Sequence, residues 1–530
     1  MSVTRIMLDQ PTEPLGEDDL QLIEYSLPGP DVLPKLFRHR ATLSPQDVAD
    51  EVSTLGWDTT YVLRVTDVNS VLKTSTTVPT TFSQEVDKEN NYAISGTFGK
   101  WQMALGGSGG IVFFSVPITT GTMTSGANRY SLDNSTAYIS LKLEYVPQVP
   151  KKGHAHGHAN GTPNGLLEND DLQVRSTGRS EADPAVVVQN LTFTGTPPST
   201  FVRALMVGAL QEWFQANIIK FAYIFATVSL NDRAAEAAFQ WLKPTYTGYA
   251  YQDGNAEEGS YFAVLSKTDN RSPQGLTNQV APGSVPGGSR AGFNIAMPLY
   301  IEKVIMPGLV KGFPHATASS FTLSTNNTVI ENTEPIECEK VRVNGLNYTP
   351  YIHEFVLQVV GNEIQVYTKT VTDVSPGIRS VVISTSYQTI VVVKKPDGTQ
   401  TLDFEQSQPP RTTSFIDKDE WVLITEIIVS LVGAIAGAVA AKVITGAVKI
   451  ILACVVIAIV FGLAAATPAL IAAVAGGGAA AALPPVTLLL LNATSPVQWP
   501  KAANFTLDTA QINGAFQLGG DPHITPTIAG

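Results

Sequence analysis

From Ile450 to Trp499 the chain carries no charged side chain, and Ile427 to Ala441 is likewise uncharged, with Glu426 and Lys442 at its edges. No other feature narrows the fold so much. In water each large apolar side chain of these stretches costs about 1.5–3 kcal/mol relative to burial, so sheet, partner or lipid must cover them. Two arrangements meet that demand. A curved sheet can wrap a helix that is hydrophobic nearly all round, with Ala and Gly letting the strands come close. In the rival arrangement the segment is stored in the folded protein and released to a bilayer. About 20 apolar residues span one, and Ile450 to Val474 is long enough, although Pro468 falls inside it. Paired with 427–441 it would form a helical hairpin. Gly433 and Gly437 stand four apart, the small-residue spacing that brings helices together in lipid, but Ala/Gly-rich sequence also meets that spacing by chance. The first arrangement requires no lipid; where acyl chain or bilayer is met, the contact falls to Ile427, Leu431, Val455, Ile457, Phe461, Leu463, Leu470 and Val474.

At 530 residues the chain exceeds one ordinary core, so two or three domains are expected. Apolar residues make up 44% and charged ones only 15%, which sets it apart from disordered chains and leans toward membrane contact. The net charge of -12, with basic runs no longer than pairs such as Lys151-Lys152 and Lys394-Lys395, argues against nucleic acid as a partner. Two cysteines, Cys338 and Cys454, make neither a disulfide framework nor a thiolate metal site. The start, "MSVTRIMLDQPTEPLGEDDLQ", has no apolar core for a secretory signal. The expectation is cytoplasmic synthesis and release by a non-classical route.

After an arm of residues 1–50, Trp57, Tyr61, Val65, Val68 and Leu72 recur at helical spacing. Strands follow at Ile111 to Ile118 and in "YISLKLEY", where Ile139, Leu141, Leu143 and Tyr145 alternate with polar residues. Residues 147–184 lose all periodicity and read as an exposed loop. "TFVRALMVGALQEWFQAN" is a helix with Ser199 as its N-cap. "IIKFAYIFATVSL", "FQWLKPTYTGYAY" and "SYFAVLS" read as strands. From about residue 285 a similar order recurs: a short helix with Pro298 at its first position, bounded by Pro307-Gly308, then strands with turns at Gly361-Asn362 and Pro396-Asp397-Gly398. The apolar helical region 420–491 and a final strand, "ANFTLDTAQINGAFQLGG", complete it. Helix, strands, helix, strand thus occurs twice, which suggests a duplicated architecture.

His154, His156 and His158 in "GHAHGHAN" could ligate a divalent metal, since alternate residues of extended chain point the same way, but a solvated loop is the better reading. "GGSGG" (Gly106 to Gly110) has no Lys-Ser/Thr after it and reads as a tight turn, not a phosphate cradle. Trp241, Tyr246, Tyr249, Tyr251, Tyr261 and Phe262 read as sheet and core aromatics. No nucleophile–base set, HExxH or P-loop is present. An enzyme is not expected, nor any cofactor.

The segments "STLGWDTTYVLRVTDVN", "GTFGKWQMALGGSGG", "FAYIFATVSLND", "FQWLKPTYTGYAY", "GFNIAMPLYIEKVIMPGL" and "NFTLDTAQINGAFQLGG" together resemble a family. It is the forty-seven-kilodalton accessory proteins encoded beside OrfX-type clostridial neurotoxin genes, of the tubular lipid-binding (TULIP) superfamily. The resemblance spans about residues 50 to 520, in order. It implies an α+β fold of long helices wrapped by strongly curved antiparallel sheets, with two pseudo-repeated units (51–284 and 285–530) in an elongated molecule. It also implies a role in bacterial toxin systems, some directed at insects, with lipid or membrane as partner and no catalysis. Two alternatives accompany it: a pore former that inserts the 425–491 hairpin, and a structural accessory that assembles with a toxin protein without lipid. The His-bearing loop and the Ala/Gly-rich apolar region depart from the family's pattern.

Overall fold

The structure, a computed structural model, describes residues 6–8, 51–148, 169–180, 182–229, 237–313, 315–324, 327–395, 397–461, 467–476, 490, 497–502 and 505–524. Strand accounts for 46% of these residues and helix for 24%, which makes the fold mainly β and corrects the α+β expectation of long helices wrapped by sheets. The reason lies in the side-chain period. Along Glu363–Ser375, Ile364, Val366, Thr368, Thr370 and Thr372 are buried while Gln365 and Lys369 are only half-buried and Asp373 is exposed, and this alternation of two can be satisfied only by strand. Such runs fill more of the chain than the apolar helical region does.

The chain divides into two compact units, one of residues 1–51, 296–489 and 510–516, the other of 52–295, 490–509 and 517–530. The second unit carries a seven-stranded antiparallel sheet in the order Val186–Phe193, Ser135–Leu141, Ile111–Ser125, Tyr92–Phe98, Thr81–Asp87, with Gln102–Ser108 and Asn128–Ser131 also paired to the 111–125 strand. In "GGSGG" Gly106 to Ser108 end the 102–108 strand with a register shift, and Gly109-Gly110 make the tight turn into the 111–125 strand. A four-stranded sheet (Val497–Gln498, Ala226–Ser229, Asn169–Val174, Leu143–Pro147) shows that the expected 147–184 loop contains a strand at its end. A six-stranded sheet runs Pro244–Gln252, Tyr261–Thr268, Thr59–Arg64, Ala291–Ala296, Ala515–Asp521, Thr506–Ile512.

Seven α-helices are described. The expected helix from Trp57 is in fact strand Thr59–Arg64 followed by helix α1, Val65–Leu72. Thr59, Thr60, Tyr61 and Val62 are β-branched or aromatic, and a strand buried on both faces has no alternation to betray it. Helix α2, Thr200–Asn217, has Ser199 as N-cap, whose hydroxyl accepts from the Val202 N–H at 3.4 Å. Its Trp213 and Phe214 pack with Phe98 of the seven-stranded sheet, and Phe214 also with Trp101 in the connection that follows Phe98. "IIKFAYIFATVSL" becomes a 3-10 turn, Ile218–Lys220, and a short strand, Ala226–Ser229.

In the first unit one eight-stranded antiparallel sheet dominates. Its long strands are β1 (Pro350–Val360), β2 (Glu363–Ser375), β3 (Ile378–Lys394) and β4 (Gln400–Lys418), and Ile6–Leu8 adds an edge strand to β4. The turn at Gly361-Asn362 falls where Gly and Asn place it, and β3 and β4 pair as far as Lys394 and Gln400 on either side of the other expected turn, whose Pro396 lies outside the described residues. Pro376-Gly377 supplies another between β2 and β3. Helices α3 (Met297–Tyr300), α4 (Met306–Gly312), α5 (Glu426–Ala438), α6 (Thr445–Phe461) and α7 (Pro468–Ala475) belong to this unit. Pro307-Gly308 does not end the helix expected there. A π-helical turn, Ile301–Ile305, lets Pro307 enter the first turn of α4, where its missing N–H costs no bond.

In the second unit Asp58, 4% exposed, is held by the Lys267 ammonium at 2.7 Å and by the Thr268 N–H at 2.8 Å, which joins the start of the 59–64 strand to the end of the 261–268 strand. Lys267→Met leaves that carboxylate buried without its nearest cation. The expected cost is about 3–5 kcal/mol, read from chemical denaturation at neutral pH. A loss below about 1 kcal/mol would show that the pair does not anchor the sheet.

Candidate functional site

The unusual chemistry of the first unit lies where its helices meet its sheet. Helix α5 begins at Thr425, whose hydroxyl accepts from the Ile428 N–H at 3.4 Å. It passes through a π-helical turn, Val439–Ile444, into α6 without a break. The result is a 35-residue helical segment, Glu426–Val460, long and apolar enough to cross a membrane; its most apolar 18-residue stretch has a mean hydropathy of 2.8, yet 72% of that stretch is buried inside the protein. Pro468 does not interrupt a span from 450 to 474. It opens the separate helix α7, whose cap is the Thr467 hydroxyl accepting from Leu470.

Helix α4 comes against α6 through two glycines. A Cβ at Gly308 would lie 3.1 Å from the Val455 side chain, and one at Gly312 would lie 3.3 Å from the Ile451 Cα. Any larger residue would push the helices apart. Gly433 and Gly437, singled out from the sequence, are half-buried; the small-residue pair that places helix on helix is 308/312. Its spacing of four was visible in "PGLVKG".

Beneath the helices lies one face of the long sheet. Ile378 and Ile416 of that face pack with Val432, Ile428 and Val429 of α5. Phe355 of β1 packs edge-on against Phe313, the residue that ends α4. Cross-strand partners share a face, so the register places Thr372 beside Ser380 beside Ile416, then Thr370 beside Val382 beside Ser414, then Thr368 beside Ser384. Thr370 and Ser380 are fully buried, and Thr368, Thr372 and Ser414 are nearly so. The Ser384 and Thr412 hydroxyls bond each other at 3.1 Å, but those of Thr368, Thr370, Thr372, Ser380, Ser386 and Ser414 have no hydrogen-bond partner. Native interiors seldom tolerate this. The arrangement offers aliphatic surface and hydroxyl donors together, as an amphiphile requires. Alternate threonines in "TKTVT" and serines in "SVVISTS" carried the signal, visible only as a period-two polar series on strands otherwise expected to be apolar within.

The residues singled out from the sequence are distributed unevenly. Val455 and Ile457 are buried in α6, with Val455 against Gly308. Val474 is buried in α7, while Leu470 and Leu431 are half-buried. Ile427, in the first turn of α5, is 80% exposed. Phe461 ends α6, but its side chain, like the whole of Leu463, lies outside the described residues, as do His154, His156 and His158. Among the described residues no cluster of metal-ligating side chains occurs. The aromatic concentration of the second unit is core: Tyr249, Tyr251 and Phe262 are buried, and the Tyr249 and Tyr251 hydroxyls donate to the Gly110 and Ala104 carbonyls at 2.7 and 2.9 Å. A cleft of about 360 Å³ in that unit is lined by Thr177, Ser180, Pro184, Gln215 and Ile218 among others, with no charged side chain among the described residues that line it.

Residues 54–520 match the family model described as OrfX-like, Protein OrfX2/OrfX3/P47. Protein OrfX3 of Paraclostridium bifermentans is 25% identical over 502 residues, 89% of this chain and 98% of that protein. Protein OrfX3 of Clostridium botulinum (strain Kyoto / Type A2) is 25% identical over 511 residues, 90% of this chain and 100% of that protein. The structure of P47 from Clostridium botulinum A2 shares the fold, with a TM-score of 0.61 at 16% identity over 90% of this chain and 100% of that one.

If the buried hydroxyls are unpaired, removing them relieves a cost. Thr370→Val combined with Thr372→Val keeps the shape and deletes two such groups. The ligand-free protein is expected to melt at or above the parent's temperature, with a gain of up to about 1–3 kcal/mol measured by calorimetry. A clear drop in melting temperature would mean that the hydroxyls make bonds in solution.

Proposed function

Because the chain belongs to the OrfX-like family, whose members are accessory proteins of toxin gene clusters, we propose that it serves a bacterial toxin system by binding lipid between the helices and the sheet of its first unit. The observation that carries this reading is the placing of a long apolar helical segment over buried hydroxyls that have no partner. An acyl chain matches the Val, Ile and Ala surface, and a glycerol or headgroup oxygen matches the threonine and serine hydroxyls. The reading is of binding, not catalysis. Release by a non-classical route, action at target-cell membranes, activity against insects and assembly with a companion toxin protein belong to the same proposal.

The test is direct. Protein purified without detergent is extracted with organic solvent and its lipid content measured by mass spectrometry, before and after incubation with phosphatidylcholine. Lipid near one equivalent is expected, reduced in the Thr370→Val/Thr372→Val variant. Protein that is clean at the outset and takes up none afterwards would sink the reading.

A second reading, insertion of the apolar helix into a bilayer, draws on the length of Glu426–Val460. Cys454 of α6 is fully buried and reports on it. In a Cys338→Ala variant the remaining thiol is expected to resist a soluble thiol reagent in the folded protein. If the helix opens, added vesicles accelerate its labelling; an unchanged rate rules insertion out.

A further inference from the structure

Ten large hydrophobic side chains are exposed among the described residues, and three of them, Trp421 at 70%, Leu423 at 86% and Ile427 at 80%, fall within seven residues of chain. Scattered exposed hydrophobics need no explanation, but a cluster does. These three occupy the connection from β4 to the first turn of α5. Trp421 is held in place: Gly377, in the left-handed region at φ 77°, turns the β2–β3 hairpin, and a Cβ added there would lie 2.8 Å from the indole. Exposed Pro376 extends the apolar tip on the hairpin side. Val422, between the exposed pair, is buried against Ile378 and Ile416, so the connection is pinned inward at one residue and presents its neighbours outward.

The charges around this tip are already engaged or acidic. The Arg379 guanidinium bonds Asp417 at 2.9 Å and Asp419 at 3.0 Å, and the Lys418 ammonium donates to the Val422 carbonyl at 2.9 Å. Glu420 and Glu426 are exposed beside the apolar residues. A surface of this kind gains from burying an indole and two aliphatic chains and loses from a dense anionic surface. Trp is the side chain whose apolar ring and N–H suit the boundary between headgroups and acyl chains. The tip also opens into the one described helix long enough to span a membrane.

We infer that Trp421, Leu423 and Ile427 form a docking tip that seats the protein on a zwitterionic lipid bilayer, with the indole at the headgroup boundary. The inference rests on the lipid-directed reading above and adds the surface by which the protein reaches its lipid. Vesicles of phosphatidylcholine are the probe, alone and with phosphatidylserine added, in sedimentation with the full chain. Binding to phosphatidylcholine alone is expected, with quenching by brominated phosphatidylcholine of a fluorescence component that Trp421→Phe lacks. A Leu423→Asp/Ile427→Asp double variant, altered only at exposed positions and checked for an unchanged melting temperature, should bind at least about tenfold more weakly.

Absence of binding to phosphatidylcholine, equal binding by the double variant, or binding only when phosphatidylserine is present would overturn the inference. So would a dimer in analytical ultracentrifugation that the double variant abolishes, since the tip would then be covered by a second copy. Lipid found by mass spectrometry in protein whose vesicle binding ignores the tip would overturn this inference alone and leave the lipid-binding reading standing. If the preparation carries no lipid but docks through the tip, the failure is of the internal site.

Discussion

An apolar helix of 35 residues must be covered, and in the first unit the cover depends on backbone approach. Gly308 and Gly312 bring α4 onto α6 until only side-chain hydrogens can separate them, with the Ile451 Cα 3.3 Å from where a Cβ would be. Once those helices are close, Phe313 at the end of α4 reaches Phe355 of the sheet, and the whole helical layer is registered over the long strands. Close packing of this kind has little tolerance for added volume. The position of the helices, the burial of Val455 and Ile457 and the enclosure of the sheet face all follow from it.

What the helices cover is less favourable than what they offer. A sheet face built for stability alone would present Val and Ile throughout, as β1 nearly does with Ile352, Phe355 and Leu357. On β2 and β3 many of the corresponding positions are threonine and serine, and five of their hydroxyls, with that of Ser414 on β4, pair with nothing. Buried polar atoms without partners lower the stability of the folded state. Their presence in one contiguous series suits a site that meets a polar atom of a ligand, and departures from local consistency of this sort are characteristic of functional surfaces. The exposed tip at Trp421 is a second departure, with apolar groups in water instead of polar groups out of it.

Much of the architecture was legible in the sequence. Ser199 as an N-cap, Pro298 in a first helical turn and the turn at Gly361-Asn362 all depend on local backbone chemistry, which short segments carry with them. The strand at Thr59–Arg64 was not legible. Tyr61 and Val65 fit a helical spacing by coincidence, and a central strand buried on both faces has no alternation to oppose it. Pro468 misled in the same way: it starts a helix capped by Thr467, and does not break one. Strand outweighs helix because period-two runs such as Ile364 to Thr372 fill more of the chain than the apolar region, which is helical by composition but short.

By itself the sequence determined that the apolar stretches needed cover and that no disulfide framework would hold the fold, because composition acts without regard to position. Its family resemblance was equally present in the residues, spread over segments from Trp57 to Gly520. Only the tertiary structure decided which glycines carry the helix contact, which hydroxyls gather on one face and which apolar side chains remain outside. Those facts depend on the register of strands up to tens of residues apart. In a sheet a shift of one residue exchanges its two faces, so no reading of a single segment could have settled them.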